Sequence, residues 1–330
     1  MRMTDLLRVS DLKVHFAVRE GLIKSLFTNG PKLIRAVDGV SFSINRGEIL
    51  CLAGESGSGK TTTGKSILRL VEPTDGEVNF MGEEIRSFKA SRLRRFRQDA
   101  QIILQDPFES LNPRQTVYSI VSEPIRVNKV TSNVKEEGEI VERALIDAGL
   151  DSPRNLFHRY PHELSGGQRQ RVAIASTLVL NPRFVVADEP VSMLDLSISA
   201  GIIQLMIDLR DKKDLSYLFI THDLSLAWIV ADRIGVMYLG KIVELGSPDN
   251  IIKSPLHPYT KALVSVIPVP KRKVINAENL LHGEVPDPMN IPAGCRFHPR
   301  CPIADTICKE EEPALIEANK GQLVACHKAS

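Results

Sequence analysis

The sequence predicts an α/β fold built on a mostly parallel sheet, and three observations carry that expectation. Short apolar strand patterns alternate with helical patterns along the chain, the signature of helices packed on a parallel sheet. Residues 54–61, Gly-Glu-Ser-Gly-Ser-Gly-Lys-Thr, lie between a strand pattern and a helical one, where such sheets place ligand loops. A stretch from 106 to 163 is rich in helix patterning and shows no core strand.

The elements follow in order. Residues 7–16 alternate as a strand does, as do Val40, Phe42 and Ile44. Residues 20–35 are polar, contain Gly and Pro, and read as a surface insertion. Asn45-Arg46-Gly47 marks a turn into the strand of Ile49, Leu50 and Leu52, and Ile67, Leu68 and Val71 mark the helix after the loop. Arg92, Arg94, Arg95 and Arg97 read as a solvated helix face, and Ile102-Ile103-Leu104 as a strand. Val172, Ala175 and Val179 define one helix face, and Ile198, Ile202, Leu205 and Leu209 another. Phe184 to Ala187 and Tyr217 to Ile220 are buried-strand runs, and Val236–Tyr238 with Ile242–Leu245 form a hairpin pattern. Beyond about residue 250, Pro255, Pro258, Pro268 and Pro270 suggest an extended accessory segment.

Composition is that of an ordinary globular protein, with 43% hydrophobic and 25% charged residues over 330 positions. A net charge of +2 gives no reason to expect a nucleic-acid partner. No apolar run reaches the roughly 18–20 residues that span a bilayer. The first residues show no signal-peptide core, so the expected compartment is the cytoplasm, where thiols stay reduced.

Residues 54–61 complete the pattern G-x-x-x-x-G-K-[ST]. Gly54, Gly57 and Gly59 let backbone N–H groups of Glu55, Ser56 and Ser58 turn toward phosphates, and the following helix presents its positive end. Lys60 is placed to reach the β- and γ-phosphates and Thr61 to ligate Mg²⁺, and Thr62 beside them belongs to the same nucleotide-binding set. A glycine-rich turn with a chance lysine is the rival reading, and the flanking strand and helix patterns disfavour it.

Leu164-Ser165-Gly166-Gly167-Gln168 and the run Phe184-Val185-Val186-Ala187-Asp188-Glu189 follow in fixed order. With these the chain resembles the ABC-type ATPases from about Leu7 to its end. The resemblance implies a core of residues 1–105 and 166–250 with an antiparallel β subdomain, a helical subdomain over 106–165, and an extension over 251–330. It implies ATP and Mg²⁺ as cofactors. Asp188 holds Mg²⁺ with Thr61 and Gln105 in that scheme, and Glu189 takes the proton of the attacking water. His222 corresponds to the switch histidine, Gln105 to the glutamine linking core and helical subdomain, and Phe16 to an aromatic stacked on adenine. For Phe16, core packing is the rival. Asp195 matches the interface aspartate, with Met193 where the family commonly has Ala. Ser165, Gly166, Gly167 and Gln168 correspond to the signature that grips the ATP of an opposing subunit. Ser165 also suits a helix cap.

Three stretches narrow the branch: Gln105 to Arg114, Arg159 to Leu164, and His257 to Leu263. Together they resemble the oligopeptide, dipeptide and nickel importer ATPases, and residues 20–35 resemble the F member of their paired D/F subunits. The partners implied are two membrane permeases, a second homologous ATPase forming a heterodimer and, indirectly, a solute-binding protein. The implied location is peripheral, on the cytoplasmic face of the membrane. Peptides, nickel chelates and oligosaccharides are all ligands of that branch. A different class stays open: soluble ATPases of this type that serve DNA repair, ribosomes or an enzyme complex such as the carbon–phosphorus lyase.

Cys295, Cys301, Cys308 and Cys326 are spaced C-x5-C-x6-C-x17-C. Four thiolates can hold a [4Fe–4S] cluster or Zn²⁺, and neither usual C-x2-C spacing is present. The segment Gly294 to Pro302 resembles the importer branch's extension, where the cysteines are associated with an iron–sulfur cluster. That resemblance places iron–sulfur first, zinc second and free thiols third. Cys51 reads as ordinary core.

Overall fold

The computed structural model describes residues 5–17, 33–106, 110–267 and 283–329. Residues 20–32 of the expected insertion, Pro107, Phe108, Glu109, Pro268 and Pro270 lie outside the described residues. Leu33 to Arg35, expected in the insertion, instead open a strand.

Two compact units divide the chain. The first gathers residues up to Ile44, Ile49–Ser87 and Ile220 onward. It contains an antiparallel sheet of β1 (Leu7–Ala17), β2 (Leu33–Ile44), β4 (Asp75–Phe80) and β5 (Glu83–Glu84), in the order β2-β1-β4-β5. Leu7 sits opposite both Ile44 and Phe80. β1 buries Leu7 and Val9, then Leu12 and Val14, and the change of parity coincides with a register shift between Val9 and Leu12, where Asp11 has φ 48°.

The same unit carries β3 (Ile49–Ala53), parallel to β9 (Arg233–Tyr238), which turns through Leu239 and Gly240 into antiparallel β10 (Lys241–Gly246). All five β3 residues are buried, as a strand covered on both faces requires. The C-terminal segment adds β12 (Gln322–Val324) to the edge of β10, and β11 (Ile316–Asn319) beyond it. The extended segment expected after residue 250 is therefore replaced by ordered elements. Of its four prolines, Pro258 starts a helix instead of preventing one, occupying the first turn of Pro258–Ser265, as Pro248 does in the preceding Pro248–Lys253 helix. Glu244 explains the sharp path between them. It is fully buried on β10, and its carboxylate accepts the N–H groups of Leu256 (2.9 Å) and His257 (3.0 Å) and the Gln322 amide (2.8 Å).

The second unit spans Asn45–Glu48 and Phe88–Phe219. β6 (Ala100–Ile103) runs parallel to β7 (Phe184–Asp188), and β8 (Ser216–Thr221) begins in it. Between β6 and β7 the described residues are helical, with Val117–Asn128, Val134–Asp147 and Gly166–Leu178 as the long elements. Thr116 and Asn133 cap the first two through their side chains. The arginine-rich stretch forms the Ala90–Asp99 helix, and Arg92 lies 4.7 Å over the Phe88 ring.

Candidate functional site

The phosphate loop runs from buried β3 into the Lys60–Ile67 helix. That helix ends one turn earlier than its apolar pattern suggests, and Val71 lies beyond it. Arg69 adopts a left-handed φ of 50°, and the N–H groups of Arg69 and Leu70 close back on Ser66 and Lys65, a Schellman stop.

Two glycines in the loop have no substitute. Gly54 has φ +148°, and a Cβ there would sit 2.2 Å from the Met237 carbonyl oxygen. Gly59 has φ +104°, and its Cβ would sit 2.2 Å from the Ala36 carbonyl oxygen. Lys60 is 5% exposed, and its ammonium donates to the carbonyls of Gly54 and Glu55, both at 2.8 Å, and to Ser58 Oγ at 3.3 Å. The cation is thus held inside the loop it serves. The helix that follows places its positive end at Gly59, its N-cap. Cys51, directly upstream, is fully buried, and burial pushes its thiol pKa far up, as its core reading requires.

Also in the first unit, Phe16 lies near the end of β1 opposite Ile34 and is 41% exposed. Its ring is not core, which leaves it accessible for stacking. His222 follows β8 and is exposed, and Asp223 caps the Leu224–Val230 helix through bonds from Ser225 and Leu226.

The remaining expected site residues belong to the second unit. Asp188 ends β7 and is 3% exposed. Glu189 has φ +47°, a conformation that non-glycine residues hold only when the surroundings impose it. Gln105 Nε2 donates to Glu189 Oε2 at 3.0 Å. Two residues 84 positions apart, singled out separately in the sequence, therefore meet. The amide orients the carboxylate that would accept the water proton.

Ser165 caps the Gly166–Leu178 helix in a reciprocal capping box: its hydroxyl accepts from Gln168 N–H (3.3 Å), and Gln168 Oε1 accepts from Ser165 N–H (3.0 Å). Gly167 is needed for packing, since a Cβ would lie 2.8 Å from Ile198 Cγ2. The result is a helix start with a small, exposed approach, suited to an anion. Asp195 begins the Leu196–Lys213 helix, makes no side-chain cap bond and is exposed, as are Met193 (58%) and Leu196 (88%). A groove of about 560 Å³ opens elsewhere in this unit, lined in part by Ile102, Leu104, Leu111, Glu123, Pro124 and Val127.

The four C-terminal cysteines are all reduced and line one small cavity with His298 and His327. Burial, and then the neighbouring thiols, push Cys295 up to about 11, and burial also raises Cys301 and Cys308. The donor type and its convergence suit a soft metal or a cluster. The cavity itself is only about 10 Å³, the size of one water. Among the described residues, no group of three or more His, Cys, Asp or Glu is arranged as a metal site. The thiols are gathered but not in ligand geometry.

Sequence reasoning missed the contacts that fasten this cysteine region to the rest of the first unit. Tyr238, Tyr259 and Phe297 form a mutually packed trio, with ring centroids 4.8, 5.3 and 5.5 Å apart, each pair worth about 0.5–1.5 kcal/mol. Arg296 donates to the Leu239 carbonyl at 2.6 Å and pairs with Asp38 and Glu312. Arg300 and Tyr259 both reach Glu55. The HPYT and HPRCP runs were the available signals.

A phosphate loop entering a helix from a parallel strand, with a strand-ending Asp-Glu pair and a capped Ser-Gly-Gly-Gln helix, defines an ATPase of the ATP-binding cassette class. Comparison with known proteins agrees. Residues 37–192 match the family described as ABC transporter, and residues 243–308 match the oligopeptide/dipeptide transporter C-terminal region. The oligopeptide transport ATP-binding protein AppF of Bacillus subtilis is 47% identical over 98% of this chain and 97% of its own length. OppF of Escherichia coli is 45% identical over 98% of this chain and 96% of its length. Among solved structures, the dimeric ATP-binding cassette MJ0796 in a post-hydrolysis state bound to ADP and Pi shares 27% identity, with a TM-score of 0.63 over 73% of this chain and 98% of that one. The chain belongs to the ABC transporter ATP-binding proteins of the oligopeptide/dipeptide type.

Proposed function

We propose that this chain is the ATP-hydrolysing subunit of an importer that powers uptake of oligopeptides. The observation that carries this reading is the near full-length identity to AppF and OppF together with an intact set of hydrolytic residues. In this reading Gly54 to Thr62 grip the phosphates, Thr61, Gln105 and Asp188 serve Mg²⁺, Glu189 is the general base, and His222 contacts the γ-phosphate. Phe16 stacks on the base. Its 41% exposure supports that role.

The chain works as one half of a pair. Ser165 to Gln168 and Asp195 face a second, homologous ATPase, and the exposed Met193 and Leu196 support an interface there. Each ATP is then gripped by two chains, so that binding closes the pair and hydrolysis reopens it. Two membrane permeases complete the machine, docking at the groove beside Leu104 and Val127, 40% and 56% exposed. A solute-binding protein delivers peptide from the other side. No helix among the described residues is long and apolar enough to cross a membrane. In this reading the permeases hold the chain at the cytoplasmic face. Residues 106–165 serve as the helical subdomain and 251–330 as a family-specific extension. There Cys295, Cys301, Cys308 and Cys326 are the residues that would hold a [4Fe–4S] cluster in preference to Zn²⁺; the gathering of four thiols supports this, and their cavity of about 10 Å³ must widen to admit the group.

An affinity capture of the tagged chain from detergent-solubilised native membranes tests the assignment. Recovery of two multispanning permeases and a second ATPase is the expected result. Recovery of only soluble enzymes or ribosomes overturns the transport role and favours the soluble class.

A further inference from the structure

Glu55, the second residue of the phosphate loop, is held from three directions within the first unit. Its N–H donates to Tyr259 Oη at 2.9 Å. Its carboxylate receives a two-pronged grip from Arg300, Nη1 to Oε2 at 2.8 Å and Nη2 to Oε1 at 3.2 Å. Its carbonyl accepts from Lys60 Nζ at 2.8 Å and from Ser58 N–H at 3.3 Å. The peptide unit that seats the Lys60 ammonium is thus fixed from behind by two side chains more than 200 positions away, separated by 204 and 245 residues.

Both holding groups are themselves rigid. The Arg300 side chain is 5% exposed, and its guanidinium carbon lies 5.8 Å from the Tyr238 ring centre. Tyr259 is fully buried against Tyr238 and Phe297. A buried guanidinium in a fork with a carboxylate is strongly directional. An ornamental surface pair would lack both the burial and the link to Lys60. Arg300 also immediately precedes Cys301, one of the four converging thiols.

We infer that Tyr259 and Arg300 are positioning residues for the phosphate loop, and that through them the C-terminal extension sets how tightly the loop holds nucleotide. The inference rests on the reading of residues 54–61 as the ATP site. Neither side chain touches nucleotide in this account. Each acts by holding Glu55, and so the seat of Lys60, whose contact with phosphate is already made in the bound state, so its loss shows in KM before kcat.

The test uses the full chain in its assembled transporter, with ATP as the probe. Arg300→Met is expected to raise the KM for ATP at least ten-fold while kcat falls less than two-fold, and Arg300→Lys to recover part of the loss. Tyr259→Phe, which keeps the ring, is expected to raise KM in the same direction. In a Glu55→Gln background, Arg300→Met is expected to add little, because the fork is already broken. Lys60→Ala is run alongside. If Lys60→Ala weakens ATP binding while the Arg300 and Tyr259 variants leave KM unchanged, or if Arg300→Met and Glu55→Gln losses are fully additive, the positioning role is overturned. If Lys60→Ala itself leaves ATP affinity unchanged, the nucleotide reading falls and the inference with it.

Discussion

Replacing Gly57 and Gly59 separately by alanine distinguishes a steric account of the phosphate loop from a purely conformational one. At Gly57, φ is +77° and an added Cβ meets nothing within 4 Å. Gly57→Ala therefore costs only the left-handed backbone penalty, about 1–2 kcal/mol. At Gly59, φ is +104° and the Cβ would lie 2.2 Å from the Ala36 carbonyl oxygen, against a floor of 3.0 Å for real contacts. The loop or β2 must yield by about 0.8 Å, on top of a backbone penalty of about 1–3 kcal/mol. The clash adds a cost of about 1–3 kcal/mol; relieving it moves the loop off its phosphate-binding path, and each 1.4 kcal/mol lost there from binding is about ten-fold in affinity. Titration of each purified variant with a fluorescent ATP analogue, with thermal denaturation in parallel, reads the difference. Gly59→Ala is expected to lose at least ten-fold more affinity than Gly57→Ala. Equal losses would refute the contact with Ala36 as the reason for glycine at 59.

Three further outcomes follow from the same geometry. Glu189→Gln should keep ATP binding and stabilise a closed, ATP-loaded pair while hydrolysis falls at least 10²-fold, and rapid turnover by that variant in a single-turnover assay would remove Glu189 from its role. His257 is fully buried and accepts the Tyr259 N–H at its Nδ1, and burial lowers its pKa from 6.5 to about 3. Its neutral form is the native one, so its contribution to stability is complete above pH 6.5 and is lost as pH falls toward 3. The loss between pH 6.5 and 5 is about 2 kcal/mol, measurable by urea denaturation as the difference between wild type and His257→Asn, and parallel curves for the two would contradict it. Anaerobically purified protein should carry about four iron and four sulfide per chain and lose both on Cys301→Ser, whereas stoichiometric zinc would replace the cluster assignment.

Much of the candidate site was legible in the sequence because its signals are local. The loop glycines, Lys60, the β7 run and the Ser165 cap each declare themselves within a few residues, and the matching strands appear where the patterns put them. Strands β4 and β5 were not seen, because Asp75–Phe80 is half polar and Glu83–Glu84 is only two residues long. Pro258 misled the reading after residue 250, since at the first turn of a helix its missing N–H costs nothing. Glu244 within an apolar strand was unreadable without its three donors, one of them 78 residues distant. The same is true of Tyr259 and Arg300, whose purpose depends on a partner at Glu55 that no local pattern announces.

Uptake of a labelled oligopeptide by cells whose sole copy of this chain carries Glu189→Gln shows whether hydrolysis at this site powers import. Uptake is expected to fall to background while the variant is still recovered with its permeases. Uptake at the wild-type rate would contradict the claim that ATP hydrolysis by this chain drives peptide import.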